Sequence, residues 1–208
     1  MADKIRILYF LEDIAQEGFI IALVKRVASE ESIVPNSIDH DIRSARGGSK
    51  VLTEFRNFIK DTKRIGATDI DLLVVAIDGN CKGHNDRIKQ LDCYVKENHP
   101  FRGKVIYAVP DPHIERWYLM DQRALKLGIG LDKAPSLPSY ECKKGSSYYK
   151  KILRQVLQDS NISSLLGGAE YAERIVDNIE NLESLGRQNA GFEVFVADLR
   201  HMLKSKSK

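Results

Sequence analysis

The stretch Asp71 to Ile77, DLLVVAI, runs directly into Asp78-Gly79-Asn80 and constrains this chain more than any other segment. After Asp71 it is apolar without a break and rich in β-branched residues. That is the pattern of a strand buried on both faces, and such strands belong to parallel sheets covered by helices on both sides. Ile5 to Leu11 (IRILYFL) and Lys104 to Val109 (KVIYAV) read as further short buried strands. Another is expected within Ser32 to Ile42, where Pro35 blurs the start.

Helical periodicity fills the intervals. Phe19, Ile20, Leu23, Val24 and Val27 mark one helix, Val51, Leu52, Phe55, Phe58 and Ile59 a second, and Ile88, Leu91 and Val95 a third. Pro110-Asp111-Pro112 stops a strand and opens a helix with Ile114, Trp117 and Tyr118 on one side. Alternating strands and helices predict an α/β fold, a mostly parallel sheet with helices on both faces. Past Asp121 the strand signals cease. Leu125 to Lys144 reads as a loop punctuated by Gly and Pro, followed by helices near Tyr148–Leu157, Ala169–Glu183 and Gly191–Leu203. The expected organisation is an α/β core over 1–122, an α-helical C-terminal extension over 123–204 packed on it, and a basic tail at 205–208.

A net charge of +3 is too mild to point to a polyanionic partner and does not oppose one. Cys81, Cys93 and Cys142 are odd in number and lack CxxC spacing. That argues against a disulfide framework or structural zinc and fits a reducing cytosol. The first apolar run is short and ends in two acids, unlike a signal peptide or a membrane span, which takes ~20 apolar residues.

In an open parallel sheet, ligands bind at the carboxyl ends of strands, where the strand order reverses. Acids recur there: Glu12-Asp13 after the first strand, Asp78 with Asn80 after 71–77, and Asp111 after 104–109, with Glu115 a helical turn further on. Hard oxygen ligands gathered from separate strand ends suit Mg²⁺ or Mn²⁺. Asp and Asn also form turns and caps. Asp111 is read as a cap, whereas Glu12 and Asp78 are read as metal ligands, because Glu has no advantage as a turn former.

Other residues invite two readings each. His84 and His113 suit either an outer-shell base or a solvated loop position, and His40, between Asp39 and Asp41, lacks a second ligand at metal-site spacing. Arg43 to Lys50, with Arg46 and two adjacent glycines, is either a phosphate-gripping loop or an exposed one. Tyr148 and Tyr149 beside Lys143, Lys144, Lys150 and Lys151 suit base stacking along a basic strip or, equally, a plain helix start. Trp117 is expected in the core.

A strand ending in Glu, a helix, then an apolar strand ending in Asp-x-Asn resembles the Toprim domain of topoisomerases, primases and related nucleases. In detail the chain is similar to small Toprim-like relatives of the overcoming-lysogenization-defect (OLD) nucleases. The similarity runs through Glu12-Asp13-Ile14-Ala15-Gln16-Glu17, Asp78-Gly79-Asn80, Pro110 to Trp117 with Asp121, and Arg187-Gln188-Asn189 ahead of Phe192 and Phe195. Asn80 stands where the family has Asp, and Gln16 where it has a second Glu. The resemblance implies metal-assisted phosphodiester hydrolysis, with Glu12 and Asp78 holding the metals and Glu12 also relaying a proton. Asp13 or Glu17 would complete one metal shell and Glu115 the other, with Asn80 contributing a carbonyl oxygen. Lys82, Arg87, Lys143 or Lys144 would supply the stabilising cation, and Arg43 and Arg46 would add nucleic-acid contacts.

The resemblance also implies a nucleic-acid substrate, DNA rather than RNA, and a role in bacterial anti-phage defence. No GxxxxGK[ST] motif is present, so any ATP-driven step belongs to a separate ATPase. Self-association stays open. Two other readings compete. A non-catalytic Toprim-like subunit is favoured by Asn80 and Gln16. A receiver-like module would use Asp78 with Lys104 or Lys82, and the long helical C-terminal third argues against it.

Overall fold

The protein is described by a computed structural model over residues 4–45, 47–64, 69–95, 99–137, 142 and 147–206. Among the described residues, four strands form one sheet: β1 (Ile5–Leu11), β2 (Ile38–Ser44), β3 (Leu72–Ala76) and β4 (Val105–Ala108). Their order is β2-β1-β3-β4 and every pairing is parallel. The two central strands, β1 and β3, are the apolar runs that could not have faced water on either side.

Side-chain alternation sorts the strands into two cores. Ile5, Ile7, Tyr9 and Leu11 of β1 join Leu72, Val74 and Ala76 of β3 on one face. Leu8, Phe10, Leu73 and Val75 point to the other, with Tyr107 of β4. That second face is covered by α2 (Val51–Arg64), through Val51, Phe55 and Ile59, and by α3 (His84–Asp92), through Leu91. The first face carries α1 (Ile14–Glu30) and, among the described residues, all the later helices that join its core: α4 (Glu115–Leu119), α5 (Gln122–Ile129), α6 (Tyr148–Asp159), α7 (Ala172–Asp177), α8 (Leu182–Gly186) and α9 (Ala190–Lys206). Trp117, buried as expected, packs edge-on against Phe192 of α9 with ring centroids 5.1 Å apart. The two ends of the chain are further tied by Arg200 of α9, which donates to Glu30 Oε2 at 2.6 Å and to Glu183 Oε1 at 2.8 Å.

Several expectations need correction. A helix, α5, occupies the start of the expected loop. Asp121 caps it by accepting from the Ala124 N–H at 2.9 Å, and Gly130, at φ 84°, ends it in the left-handed region. α5 lies so close to α7 that a Cβ on Gly128 would meet the Ile175 main chain at 2.7 Å. The single helix expected over Ala169–Glu183 is instead a 3₁₀ turn, then α7 and α8. The break falls ahead of Asn181, which accepts from the Ser184 N–H at 2.8 Å and restarts the chain as a cap. Arg43 lies in β2, not in the glycine loop.

The cysteine expectation also fails. Cys81 and Cys142 form a disulfide, with Cα atoms 5.7 Å apart although 61 residues separate them in sequence. Cysteine number and local spacing carry no information about a single long-range bridge. Among the described residues, no helix is long and apolar enough to cross a membrane.

Candidate functional site

The chain leaves β1 toward β2 on one side and reaches β3 on the other, so the strand order reverses between β1 and β3. Leu11 pairs with Ala76 in that register. Glu12 and Asp78 therefore emerge side by side at the carboxyl edge, at the position where open parallel sheets build their ligand sites.

The contact between them is direct. The Asp78 N–H donates to Glu12 Oε2 at 2.9 Å. Gln16, on the first turn of α1, ties both segments: its Oε1 accepts from the Glu12 N–H and its Nε2 donates to Asp78 Oδ1, each at 2.9 Å. Asp78 Oδ1 also accepts from the Ile114 N–H at 3.2 Å, and Oδ2 lies 3.1 Å from His113 Nδ1. Glu12, Asp78 and Gln16 are all buried.

Glu115 enters from the start of α4. It is buried, and Lys150 of α6 places Nζ 3.6 Å from its Oε1. Asp13 caps α1, accepting from the Gln16 N–H at 3.0 Å. Burial and the neighbouring Asp78 charge push the Glu12 carboxyl up to about 7, and Asp13 adds to the effect. Burial raises Asp78 as well, opposed by the His113 contact. Burial and Asp78 raise Glu115, again with Asp13 contributing. Glu12, Asp78 and Glu115, carried by three strand ends, thus share one field and resist simultaneous ionisation, with the Asp13 charge beside them.

Other expected members lie elsewhere. Glu17 is occupied on the β2 side, where its Oε2 accepts from Ser44 Oγ at 2.9 Å. Asn80 is exposed, in the left-handed region at φ 51°, and its amide turns back to donate to the Asp78 carbonyl at 3.3 Å. Lys82 is exposed, and Arg43 lies 3.4 Å from Asp41 on the edge strand. Arg46, Lys143 and Lys144 fall outside the described residues. Arg87 is buried behind the site, where its charge lowers Glu12 and its Nη2 donates to the Gly79 carbonyl at 3.4 Å. Asp111 is not a helix cap. Its Oδ1 accepts from the Cys81 N–H at 2.6 Å, across the loop.

The sequence reading missed Gln16 as a bridge and left His113 undecided. The spacing of Gln16, four residues after Glu12 in the first turn of a helix that follows a strand end, was the available signal. For His113 there was none, because its partner lies 35 residues away.

Among the described residues, no three of the acids Glu12, Asp13, Asp78 and Glu115 bring carboxylate oxygens within ligand distance of one another. Comparison with family models, with curated proteins and with solved structures finds no match to this chain.

Proposed function

We propose that this protein is a Toprim-type, divalent-metal-dependent nuclease that hydrolyses phosphodiester bonds. One observation carries the proposal: Glu12, Asp78 and Glu115 are buried carboxyls at one switch point, each with its ionised form disfavoured by burial and by its neighbours. Such a group is relieved by a cation. The donor chemistry fits a hard ion, since every candidate ligand is a carboxylate oxygen. Oε1 of Glu12 accepts no hydrogen bond among the described residues.

Glu12, Asp78 and Glu115 would hold Mg²⁺ or Mn²⁺, with Asp13 beside them. Bound metal supplies Lewis acidity toward a phosphoryl oxygen and makes a coordinated water acidic. The chain's own residues do the remainder. In the metal-free fold the Glu12 carboxyl lies near 7; a bound cation would favour its charged form, so Glu12 would give up that proton on loading the metal, and the resemblance assigns it the proton relay as well. Gln16 and His113 fix the Asp78 carboxylate. Lys150, whose Nζ lies 3.6 Å from Glu115 Oε1, would be a cation able to stabilise phosphate charge. By the sequence resemblance, the substrate is DNA rather than RNA, the setting is anti-phage defence, and a separate ATPase presents the nucleic acid.

A second proposal, a non-catalytic Toprim-like subunit, is favoured by the state of Asp78. Its two oxygens already take bonds from Gln16, Ile114 and His113.

One assay separates the two. The purified chain, with and without its ATPase neighbour, is incubated with single- and double-stranded DNA and RNA in Mg²⁺, Mn²⁺ or chelator. The nuclease proposal expects metal-dependent cleavage that falls by roughly 10²-fold or more in Glu12→Gln. Cleavage that survives Glu12→Gln sinks it. Nucleic-acid or partner binding with no cleavage in any mixture establishes the subunit.

A further inference from the structure

Three potential ligands stand together beside the acidic edge without belonging to it. Cys81 and Cys142 place their sulfurs at a carboxylate oxygen of Asp111, and among the described residues these are the three His, Cys, Asp or Glu side chains that come within ligand distance of one another. As a disulfide the sulfurs are not ligands. We propose that the reduced form of this cluster is a binding site for a thiophilic divalent cation such as Zn²⁺, with Cys81, Cys142 and Asp111 as protein ligands and a fourth position open to water.

The carboxylate is built into place. The Cys81 N–H holds Asp111 Oδ1 at 2.6 Å. Beneath it, Gly79 leaves no room for a side chain: a Cβ there would sit 2.5 Å from Asp111 Oδ1 and 2.7 Å from its Cβ. Among the described residues no cation pairs with the Asp111 carboxylate. Cys81 is half-buried and Cys142 exposed, so the cluster is open to reductant and to metal.

The loop backbone that carries Cys81 is anchored independently of the sulfur bridge. The Gly79 N–H donates to the Pro110 carbonyl at 2.8 Å and the Asn80 N–H to the Pro112 carbonyl at 2.9 Å. Loss of the bridge therefore leaves Cys81 and Asp111 together. Two thiolates on one tetrahedral zinc lie about 3.8 Å apart, given Zn–S bonds of about 2.3 Å. With the bridge intact the Cα atoms lie 5.7 Å apart, so two thiolates at that spacing need little movement to share one ion.

A dithiol delivers two electrons and two protons, breaking the S–S bond to two thiols and becoming a disulfide; a phosphine does the same with one water, which supplies both protons and the oxygen of the phosphine oxide. Binding of M²⁺ then displaces both thiol protons to solvent. Thiolate donors select zinc or cadmium over magnesium, which separates this site from the all-oxygen cluster around Glu12.

The test uses the full chain carrying Cys93→Ser, which removes the free exposed thiol, reduced with a phosphine, desalted without air and titrated with Cd²⁺ and Zn²⁺. Thiolate-to-cadmium charge-transfer absorption reads sulfur ligation, which carboxylates alone cannot produce. A chromophoric chelator reads zinc affinity. The expected result is one equivalent bound by reduced protein, none at sulfur in oxidised protein, and loss of the charge-transfer band in Cys142→Ser. Asp111→Asn is expected to weaken zinc at least about 10-fold, as loss of even a supporting partner does at metal sites. Alkylation of the reduced Cys93→Ser chain gives the same loss without a further substitution and covers a failure of either variant to fold. Zinc binding by the reduced Cys93→Ser chain no tighter than with Cys142→Ser added or after alkylation overturns the proposal, and so does unchanged affinity in Asp111→Asn.

Discussion

The side-chain amide of Gln16 donates to Asp78 Oδ1 at 2.9 Å, and through its other atom, Oε1, it accepts from the Glu12 main chain at the same distance. One neutral group thus holds two acidic strand ends at the reversal point of the sheet. Gln16→Ala leaves the buried Glu12 N–H without its acceptor and is expected to cost about 1–3 kcal/mol. Gln16→Glu adds a negative charge beside Asp78. It is expected to unfold more readily than wild type above neutral pH without metal, and to recover with Mn²⁺. Chemical denaturation of the three proteins, with and without Mn²⁺, checks this. A Gln16→Glu protein as stable as wild type in chelator would show that the carboxylates do not crowd one another.

The Glu12 carboxyl gives a pH dependence of definite sign. Its value in the fold, about 7, lies above its ordinary 4.5, so the folded state disfavours the charged form. The contribution of Glu12 to stability is fully present below about 4.5 and is lost as pH rises through about 7. The shift corresponds to roughly 3 kcal/mol. In metal-free protein, Glu12→Gln keeps an acceptor for the Asp78 N–H and loses the charge. It is therefore expected to flatten the decline and to exceed wild type in stability at pH ~8, by an amount on the order of 1–3 kcal/mol. Urea titrations at both ends of the range measure it. A variant that runs parallel to wild type across the range contradicts the assignment.

Gly79 makes a steric prediction. Its missing side chain is replaced by the Asp111 carboxyl, and an added Cβ would meet Asp111 atoms at 2.5 to 2.8 Å. Gly79→Ala is expected to cost about 1–3 kcal/mol through overpacking. Gly83, four residues on, has φ +81° with ψ 145° and open space around it, so Gly83→Ala should cost only the backbone term of about 1–3 kcal/mol. Thermal unfolding of wild type and of the two variants compares them. A Gly79→Ala protein as stable as wild type would show that the Asp111 carboxyl does not occupy that space.

These residues also show what a sequence exposes and what it hides. The central strands were legible because a run such as Leu72 to Ile77 can be stable only when covered on both faces, and their ends located Glu12 and Asp78 at once. The bounds of α5 were also written locally, in Asp121 at its start and Gly130 at its end, but the nearby Gly and Pro residues masked them. The Asp78–His113 contact and the Cys81–Cys142 bridge were not legible. Each joins segments 35 and 61 residues apart, respectively, whose meeting is decided by how β3, β4 and the loops after them stack. Asn80 and Glu17 have the right residue types in the right neighbourhood, yet the left-handed backbone at Asn80 and the β2 hydroxyl at Ser44 draw them away from the cluster.

The central claim is that Glu12, Asp78 and Glu115 together hold a divalent cation, and direct Mn²⁺ titration followed by electron paramagnetic resonance tests it most closely. Oxidised protein is used, so that the Cys81 and Cys142 sulfurs cannot take part. The account predicts saturable binding by wild type that weakens by more than about 10-fold in each of Glu12→Gln, Asp78→Asn and Glu115→Gln, with all three variants folded. Wild type that binds no Mn²⁺, or binding that is the same in wild type and the three variants, would contradict it.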